Sequence, residues 1–308
     1  MLQNFIKKLK DKFEEELVLK LALTRVSAPL FVEKESGLND YLGTDEKPIS
    51  FNSSGTVLEI VQSLAKWKRF ALKEYNLKGL YTDMNAIRPN ETLDYKHSLY
   101  VDQWDWEKVI EKSDRTLDYL KETVQKIYAC LQETENYINS FDSNLSKKLP
   151  ETLEFISSLE LYKMYPMLTP EEREREFCKT HKAFFVYGIG FDLPDGKPHG
   201  LRASDYDDWL LNGDLIVWDK ENNDALELSS MGIRVDKEAL FRQKGNINKT
   251  LYSDLITTDK LPLTIGGGIG QSRIAMFLLE KKHIGEVQVS WWPKEEYRLA
   301  KKKGIILL

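Results

Sequence analysis

The chain has 308 residues, is 42% hydrophobic and 30% charged, and carries a formal net charge of −5. That balance suits a folded unit with a sizeable core and argues against a broad nucleic-acid-binding surface, though not against a local basic site. No apolar run approaches a membrane span, Glu14–Glu16 without a small-residue cleavage site argue against a targeting peptide, and two cysteines, Cys130 and Cys178, suit a reduced, intracellular chain.

Leu2, Phe5, Ile6, Leu9 and Phe13 recur at helical spacing between lysines. The spacing predicts an amphipathic helix. Asp11 and the glutamates favour packing on the domain or on a partner subunit over a membrane surface. Leu17 to Val32 reads as a helix end or strand, with Pro29 near its close as at an edge or a subunit interface. Gly37 to Gly43 is a turn-rich loop holding Asp40, by default a cap or turn residue. Val57 to Leu64 reads as a strand. Behind Ser63 come Lys66, Lys68 and Arg69. They read as a solvated helix face or as an anion site at a helix start.

Leu80 to Ile87 is strand-like and ends at Arg88. From His97 to Glu107, alternation puts Leu99, Val101, Gln103 and Asp105 on one face. Tyr100, Asp102, Trp104 and Trp106 take the other. The hairpin sets a cation beside a carboxylate, which a structural ion pair would also explain. Ser113 is expected to cap a helix running to about Tyr137. After a break at Leu149-Pro150, Leu153 to Tyr165 reads as a strand and short helix. Pro170 opens another helix, with Cys178 and His181 as packing residues. Ala183 to Ile189 reads as a buried strand, and Asp195-Gly196 as a turn.

Arg202, Asp205, Asp207 and Asp208 form an acidic cluster before the strand Leu215 to Trp218. The strand from Ala225 to Asp236 carries Glu227, Ser229, Ser230 and Arg234. Carboxylate and hydroxyl oxygens are the donors hard divalent ions prefer. In Thr264 to Glu280, Gly266, Gly267, Gly268 and Gly270 precede Arg273 and an apolar helix. This is neither GxxxxGKS/T nor GxGxxG. Glycine admits a close ligand, and a guanidinium at that point suits a base or a phosphate.

Taken in order, APLF around Pro29, AIRPNE with HSLYVDQWDWE, and GGGIGQSRIAMFLL resemble the three motifs of class II aminoacyl-tRNA synthetase catalytic domains. ELSSMGIRVD is similar to the strand before the third motif in aspartyl- and asparaginyl-type synthetases. SLAKWKR, GLYTDMNAIRP, HSLYVDQWDWE, DYDDW, LNGD, ELSSMGIRVD and TIGGGIGQSR together resemble ammonia-dependent asparagine synthetases, from about Ala28 to His283. There are two departures. Synthetases commonly place Glu two positions after the second-motif Arg; here that position is Asn90, with Glu91 next. The join from Trp209 to Leu211 looks short, as though a loop over the site were trimmed.

The resemblance implies an α+β fold, a mostly antiparallel sheet flanked by helices, in one catalytic domain over residues 1–308. It implies a cytoplasmic homodimer built through the first motif, with no anticodon-binding domain and no nucleic-acid partner. It implies that MgATP and aspartate give β-aspartyl-AMP and pyrophosphate, and that ammonia then displaces AMP. Arg88 would hold the α-phosphate. Arg273, with Gly268 and Gly270, would hold the nucleotide, and Arg234 would reach the outer phosphates. Glu227, with Asp214 and Ser230 as weaker candidates, would bind Mg²⁺. Ser63, Lys68, Gln103 and Asp105 would bind aspartate, with Asp207, Ser229 and Ser230 as further substrate contacts. Asp40 would attract ammonium or take its proton. Free ammonia is expected because neither cysteine sits in a nucleophile-like context. A stand-alone tRNA ligase and a non-catalytic nucleotide-binding regulator are the rival readings.

Overall fold

The opening helix outruns its first apolar spacing. In the computed structural model, which describes residues 2–41, 47–244 and 249–308, α1 spans Leu2–Leu21. Leu17 and Leu21 continue the buried stripe. Glu16 ties Lys12 at 2.7 Å and Lys20 at 3.0 Å, one turn away on either side. Of the two readings of Leu17 to Val32, the helix end holds as far as Leu21, and strand is confined to β1 (Thr24–Arg25) and β2 (Phe31–Glu33), with Pro29 between them. Leu42 and Gly43, the end of the turn-rich loop, lie outside the described residues.

Strands β3 (Ser50–Ser53) and β4 (Thr56–Ile60) pair with β2 in a small antiparallel sheet. β4 stops at Ile60, so Ser63 sits in the turn before α2 (Ala65–Glu74), where its Oγ accepts from the Ala65 N–H at 3.2 Å. β5 (Gly79–Ile87) and β6 (Tyr100–Val109) form the expected hairpin. Helix α3 (Leu117–Asn139) is capped by Thr116, not Ser113. Ser113 falls in a separate 3₁₀ turn, Lys112–Asp114, that Glu111 caps. Next come β7 (Glu154–Ser157), α4 (Ser158–Met164), α5 (Pro170–His181) and β8 (Ala183–Tyr187). Ser157 and Thr169 start the two helices with reciprocal capping boxes. Cys178 is buried and His181 stacks on Phe177, as packing residues do.

The acidic cluster is split between a turn that holds Asp205 and a strand that holds Asp207 and Asp208. β9 runs from Asp207 to Asp219, so Trp209 to Leu211 lie inside a strand and not in a loop over the site. β10 (Asp224–Arg234), α6 (Lys237–Lys244), α7 (Leu251–Thr257), β11 (Thr264–Gly270), α8 (Gln271–Leu278) and α9 (Lys294–Lys302) complete the chain.

The main sheet has the order β1-β5-β6-β11-β10-β9-β8-β7. Its two outer pairs, β1–β5 and β7–β8, are parallel, and the five inner pairs are antiparallel. One face carries Trp104, Trp106, Ile265, Ile269, Leu215 and Val217 against α1, α3 and α8. The opposite face has two separate cores. Leu80, Met84 and Ala86 pack under α2 and α7 at one end. Phe184, Val186 and Ile216 pack under α4 and α5 at the other. Between those cores, the middle strands β6, β11 and β10 form an open floor.

Candidate functional site

The floor is shaped by alternation. On β11 the residues facing the open side are Gly266, Gly268 and Gly270, opposite Glu107, Asp105 and Gln103 of β6. Side chains from β6 fill the space the glycines leave. A Cβ on Gly266 would overlap the Glu107 carboxylate, and one on Gly268 would overlap the Gln103 amide. Above this floor lies a cavity of about 350 Å³. Its wall includes Ser63, Lys68, Arg88, Gln103, Asp105, Asp207, Glu227, Ser229, Ser230, Arg234, Gly268, Gly270 and Arg273. Asp40 and Asp214 stand outside that wall. Glu91, and not Asn90, lines it after Arg88.

One end of the cavity is a lattice of buried ions. Lys68 donates to Asp105 and, at 2.8 Å, to the Gly267 carbonyl. Its ammonium is buried, and burial pushes its pKa below the ordinary lysine value. Arg234 grips Glu107 through Nε at 3.0 Å and Nη2 at 2.8 Å, and donates through Nη1 to Asp207. All three side chains are at most 2% exposed. Burial lifts the Asp207 carboxyl above its usual value even against the pull of Arg234. The two carboxylates lift Arg234 well above its own value against the burial that lowers it. Arg234 therefore sits with the Lys68–Asp105 pair.

The other end gathers guanidinium groups around one carboxylate. Glu227 faces the cavity with 44% of its side chain open, 3.8 Å from the Arg273 guanidinium. Burial alone would raise its pKa. Arg273, Arg202 and Arg88 outweigh that and hold it below the ordinary value. A register shift at Leu228 places Glu227 opposite Ile216 and Ser230 opposite Asp214. Ile216 and Asp214 share one face of β9, so the bulge turns Glu227 to the same side as Ser230. Asp214 is bonded to Arg202 and accepts from Ser230. Burial pushes it up to about 6. Arg273 also donates at 3.0 Å to the Glu227 carbonyl. The Arg88 side chain makes one long contact, 3.5 Å from Nε to the Gln62 carbonyl. Both guanidinium groups thus share one cavity, with Glu227 within electrostatic reach of each.

Asp40 is 1% exposed, and neither carboxylate oxygen has a hydrogen-bond partner among the described residues. Burial pushes it up to about 6, against the fields of Lys66 and Arg88. A carboxyl raised above its unfolded value holds an extra proton in the folded state between those two values. Stability is therefore full below the ordinary value and declines as pH rises through 6. Asp40→Asn is expected to melt above the wild type at about pH 7.5, by about 1–3 kcal/mol. The gap should close near pH 4. A pH-independent difference in thermal melts would contradict this account.

Sequence reasoning missed Glu107 and Tyr206, whose ring lies 5.8 Å from the Arg234 guanidinium, and gave Arg202 no role beyond the acidic cluster. Glu107 was visible as the next residue on the Gln103 and Asp105 face. Tyr206 and Arg202 lie in the segment before β9 and carried no periodic signal.

An antiparallel six-strand core closed by parallel edge pairs, with a glycine-floored cavity, is the class II aminoacyl-tRNA synthetase-type fold. An asparaginyl-tRNA synthetase of Pyrococcus horikoshii complexed with asparaginyl-adenylate superposes with a TM-score of 0.68 at 15% identity, over 95% of this chain and 69% of that one. The asparaginyl-tRNA synthetase of Entamoeba histolytica in complex with asparaginyl-adenylate gives a TM-score of 0.67 at 11% identity, over 93% of this chain and 66% of that one. The chain thus spans about two thirds of those structures, and at such identities they show the fold alone. The family profile described as aspartate-ammonia ligase matches residues 1–304, and the chain belongs to that family. Aspartate–ammonia ligases of Bacillus mycoides and of Ureaplasma urealyticum serovar 10 are 53% and 51% identical to it. Each match covers 99% of this chain and 96% of the relative.

Proposed function

We propose that this chain makes asparagine from aspartate and ammonia with ATP, through β-aspartyl-AMP, releasing AMP and pyrophosphate. One observation carries the reading: a single cavity joins a cluster of guanidinium groups at one end to buried amino-acid-sized ion pairs at the other. An oxygen of the aspartate β-carboxylate attacks the α-phosphorus, and the α–β phosphoanhydride bond breaks as pyrophosphate leaves. Arg88 meets the charge growing on the α-phosphoryl oxygens. Arg273, with Gly268 and Gly270 leaving the floor flat, packs on the nucleotide.

At the closed end, Lys68 and Arg234 face the unreacting carboxylate. Asp105 and Asp207 face the ammonium group. Arg234 moves here from the outer phosphates because Glu107 and Asp207 fix it at this end. Ser63 and Gln103 orient the β-carboxylate. Ser230 donates to Asp214 and so presents its lone pairs to the substrate, whereas Ser229, level with Ile269 and Leu215 on the other face, donates to the Gly268 carbonyl at 2.9 Å and supports the floor from behind. Mg²⁺ fits the donor set at Glu227, whose carboxylate opens to the cavity, with Ser230 and Asp214 behind it. Bound there with ATP, it would neutralise phosphate charge.

In the second half, the ammonia nitrogen bonds to the β-carbonyl carbon and the bond to the AMP oxygen breaks. Asp40, behind the cavity wall and within the field of Arg88, is the base this reading assigns to the proton the nitrogen sheds. Asp40→Asn is expected to slow amide formation more than pyrophosphate exchange. Ammonia is the nitrogen source in this reading: burial pushes the Cys130 thiol up to about 12 and raises Cys178 further, so neither suits glutamine hydrolysis. The enzyme would work in the cytoplasm, where thiols stay reduced, and without tRNA. No described helix is long and apolar enough to cross a membrane.

A second copy of the chain fits the small sheet. Phe31 and Phe51 meet edge-on at 5.3 Å and, with Leu30 and Ile49, remain exposed on it. A monomer mass by sedimentation would end the dimer reading. The direct test of function supplies purified protein with MgATP, aspartate and ammonium. Asparagine and AMP should appear in equal amounts. Their absence without tRNA would refute the proposal.

A further inference from the structure

Helix α8 starts without a cap of its own. Its N-cap is Gly270, which has no side chain to accept from the first turn. The missing acceptor comes from another strand. Asp102 lies on β6 between Val101 and Gln103; alternation turns it away from Gln103 toward the start of α8, where it lines the edge of the cavity with Ser272 and Gln288. Its Oδ1 accepts from the Ser272 N–H at 3.1 Å, and its Oδ2 accepts from the Ser272 hydroxyl at 2.8 Å. The Gln288 amide donates to Oδ1 at 3.1 Å, and Lys10 of α1 donates to Oδ2 at 2.9 Å. Ser98 donates in turn to the Gln288 carbonyl oxygen. Asp102, Ser272 and Gln288 are all under 9% exposed.

Arg273 is the next residue after Ser272. Among the described residues its guanidinium has two backbone acceptors, the Lys96 carbonyl at 3.4 Å and the Glu227 carbonyl at 3.0 Å, and a carboxylate 3.8 Å away. Those contacts do not fix where the side chain begins. The start of α8 does, and Asp102 fixes that start. A carboxylate there also suits the positive end of the helix.

We propose that Asp102 is a positioning residue for ATP: it seats the first turn of α8 so that Arg273 meets the nucleotide. The proposal rests on the reading of Arg273 given above. Alternation makes the device economical in chain. Consecutive residues of β6 serve both layers, with Gln103 on the substrate side and Asp102 holding the start of α8.

The test is a double-mutant cycle read by ATP–pyrophosphate exchange. Asp102→Ala is expected to raise KM for ATP about tenfold, the size of a lost helix cap. KM for aspartate should stay within about twofold of wild type. Added to Arg273→Ala, the same change should have no further effect on KM for ATP, because its route is already gone. An unchanged KM for ATP, or full additivity in the double variant, overturns the proposal. Asp102→Asn keeps one oxygen for the Ser272 amide and should fall between wild type and alanine; it decides the matter if the alanine variant does not fold. If Arg273→Ala alone leaves KM for ATP unchanged, the nucleotide reading of Arg273 has failed. Seating is then judged by hydrogen exchange at the Ser272 amide, which should speed up about tenfold in Asp102→Ala. Unchanged exchange overturns the seating as well.

Discussion

Arg88→Ala is expected to lower aspartate-dependent ATP–pyrophosphate exchange by about a thousandfold or more, the scale of one preorganised charge removed from a transition state. The fold should hardly register the change. Arg88 is half-buried and, among the described residues, its side chain makes one 3.5 Å hydrogen-bond contact, to a backbone carbonyl, so little packing depends on it. Thermal stability should stay within about 0.5 kcal/mol of wild type. That contrast is the content of the prediction: a residue nearly idle in the resting protein is indispensable when the α-phosphorus gains a fifth oxygen. Exchange at the wild-type rate in a folded Arg88→Ala protein would remove Arg88 from the chemistry.

Arg234→Met should behave in the opposite way. Arg234 joins Glu107 and Asp207 at the closed end of the cavity, and all three are at most 2% exposed. Removing the cation strands two carboxylates. Breaking a buried pair typically costs about 3–5 kcal/mol. The variant should melt well below wild type and bind aspartate poorly in any fraction that folds. A further variant separates the two losses. With Glu107→Gln and Asp207→Asn added to Arg234→Met, no uncompensated charge remains, and much of the stability should return. Aspartate binding should not return with it. A triple variant that recovers both would show that the lattice is scaffold and nothing more. Calorimetry on the variants, with and without aspartate, measures both outcomes.

The sequence exposed these residues unevenly, for physical reasons. Strands β5, β6 and β10 were legible because alternation over many residues is a strong signal, and it put Gln103 and Asp105 on the right face. Arg88 and Arg273 stood out because each ends an element. Strand β9 was half missed: Asp207 and Asp208 look like surface acids until Arg234 and Arg115 are seen beside them. The bulge at Leu228 was invisible too, since a bulge is a property of the pairing and not of one strand. The helix start at Leu117 was misplaced because Ser113 and Thr116 are both good caps, and Glu111 claimed the first turn for a 3₁₀ helix. Asp40 needed coordinates altogether, because its unpartnered burial leaves no mark on local composition.

The bare upper face of β11 has a wider consequence. Its glycines are a mould of the β6 side chains that occupy their space, Glu107 against Gly266 and Gln103 against Gly268. Bulk cannot be added to either stretch unless it is removed from the other. The two stretches must therefore drift together among related enzymes, and a library that randomises one alone will return mostly inactive protein. Randomised jointly, they should yield compensated pairs, such as a shorter acid facing an alanine.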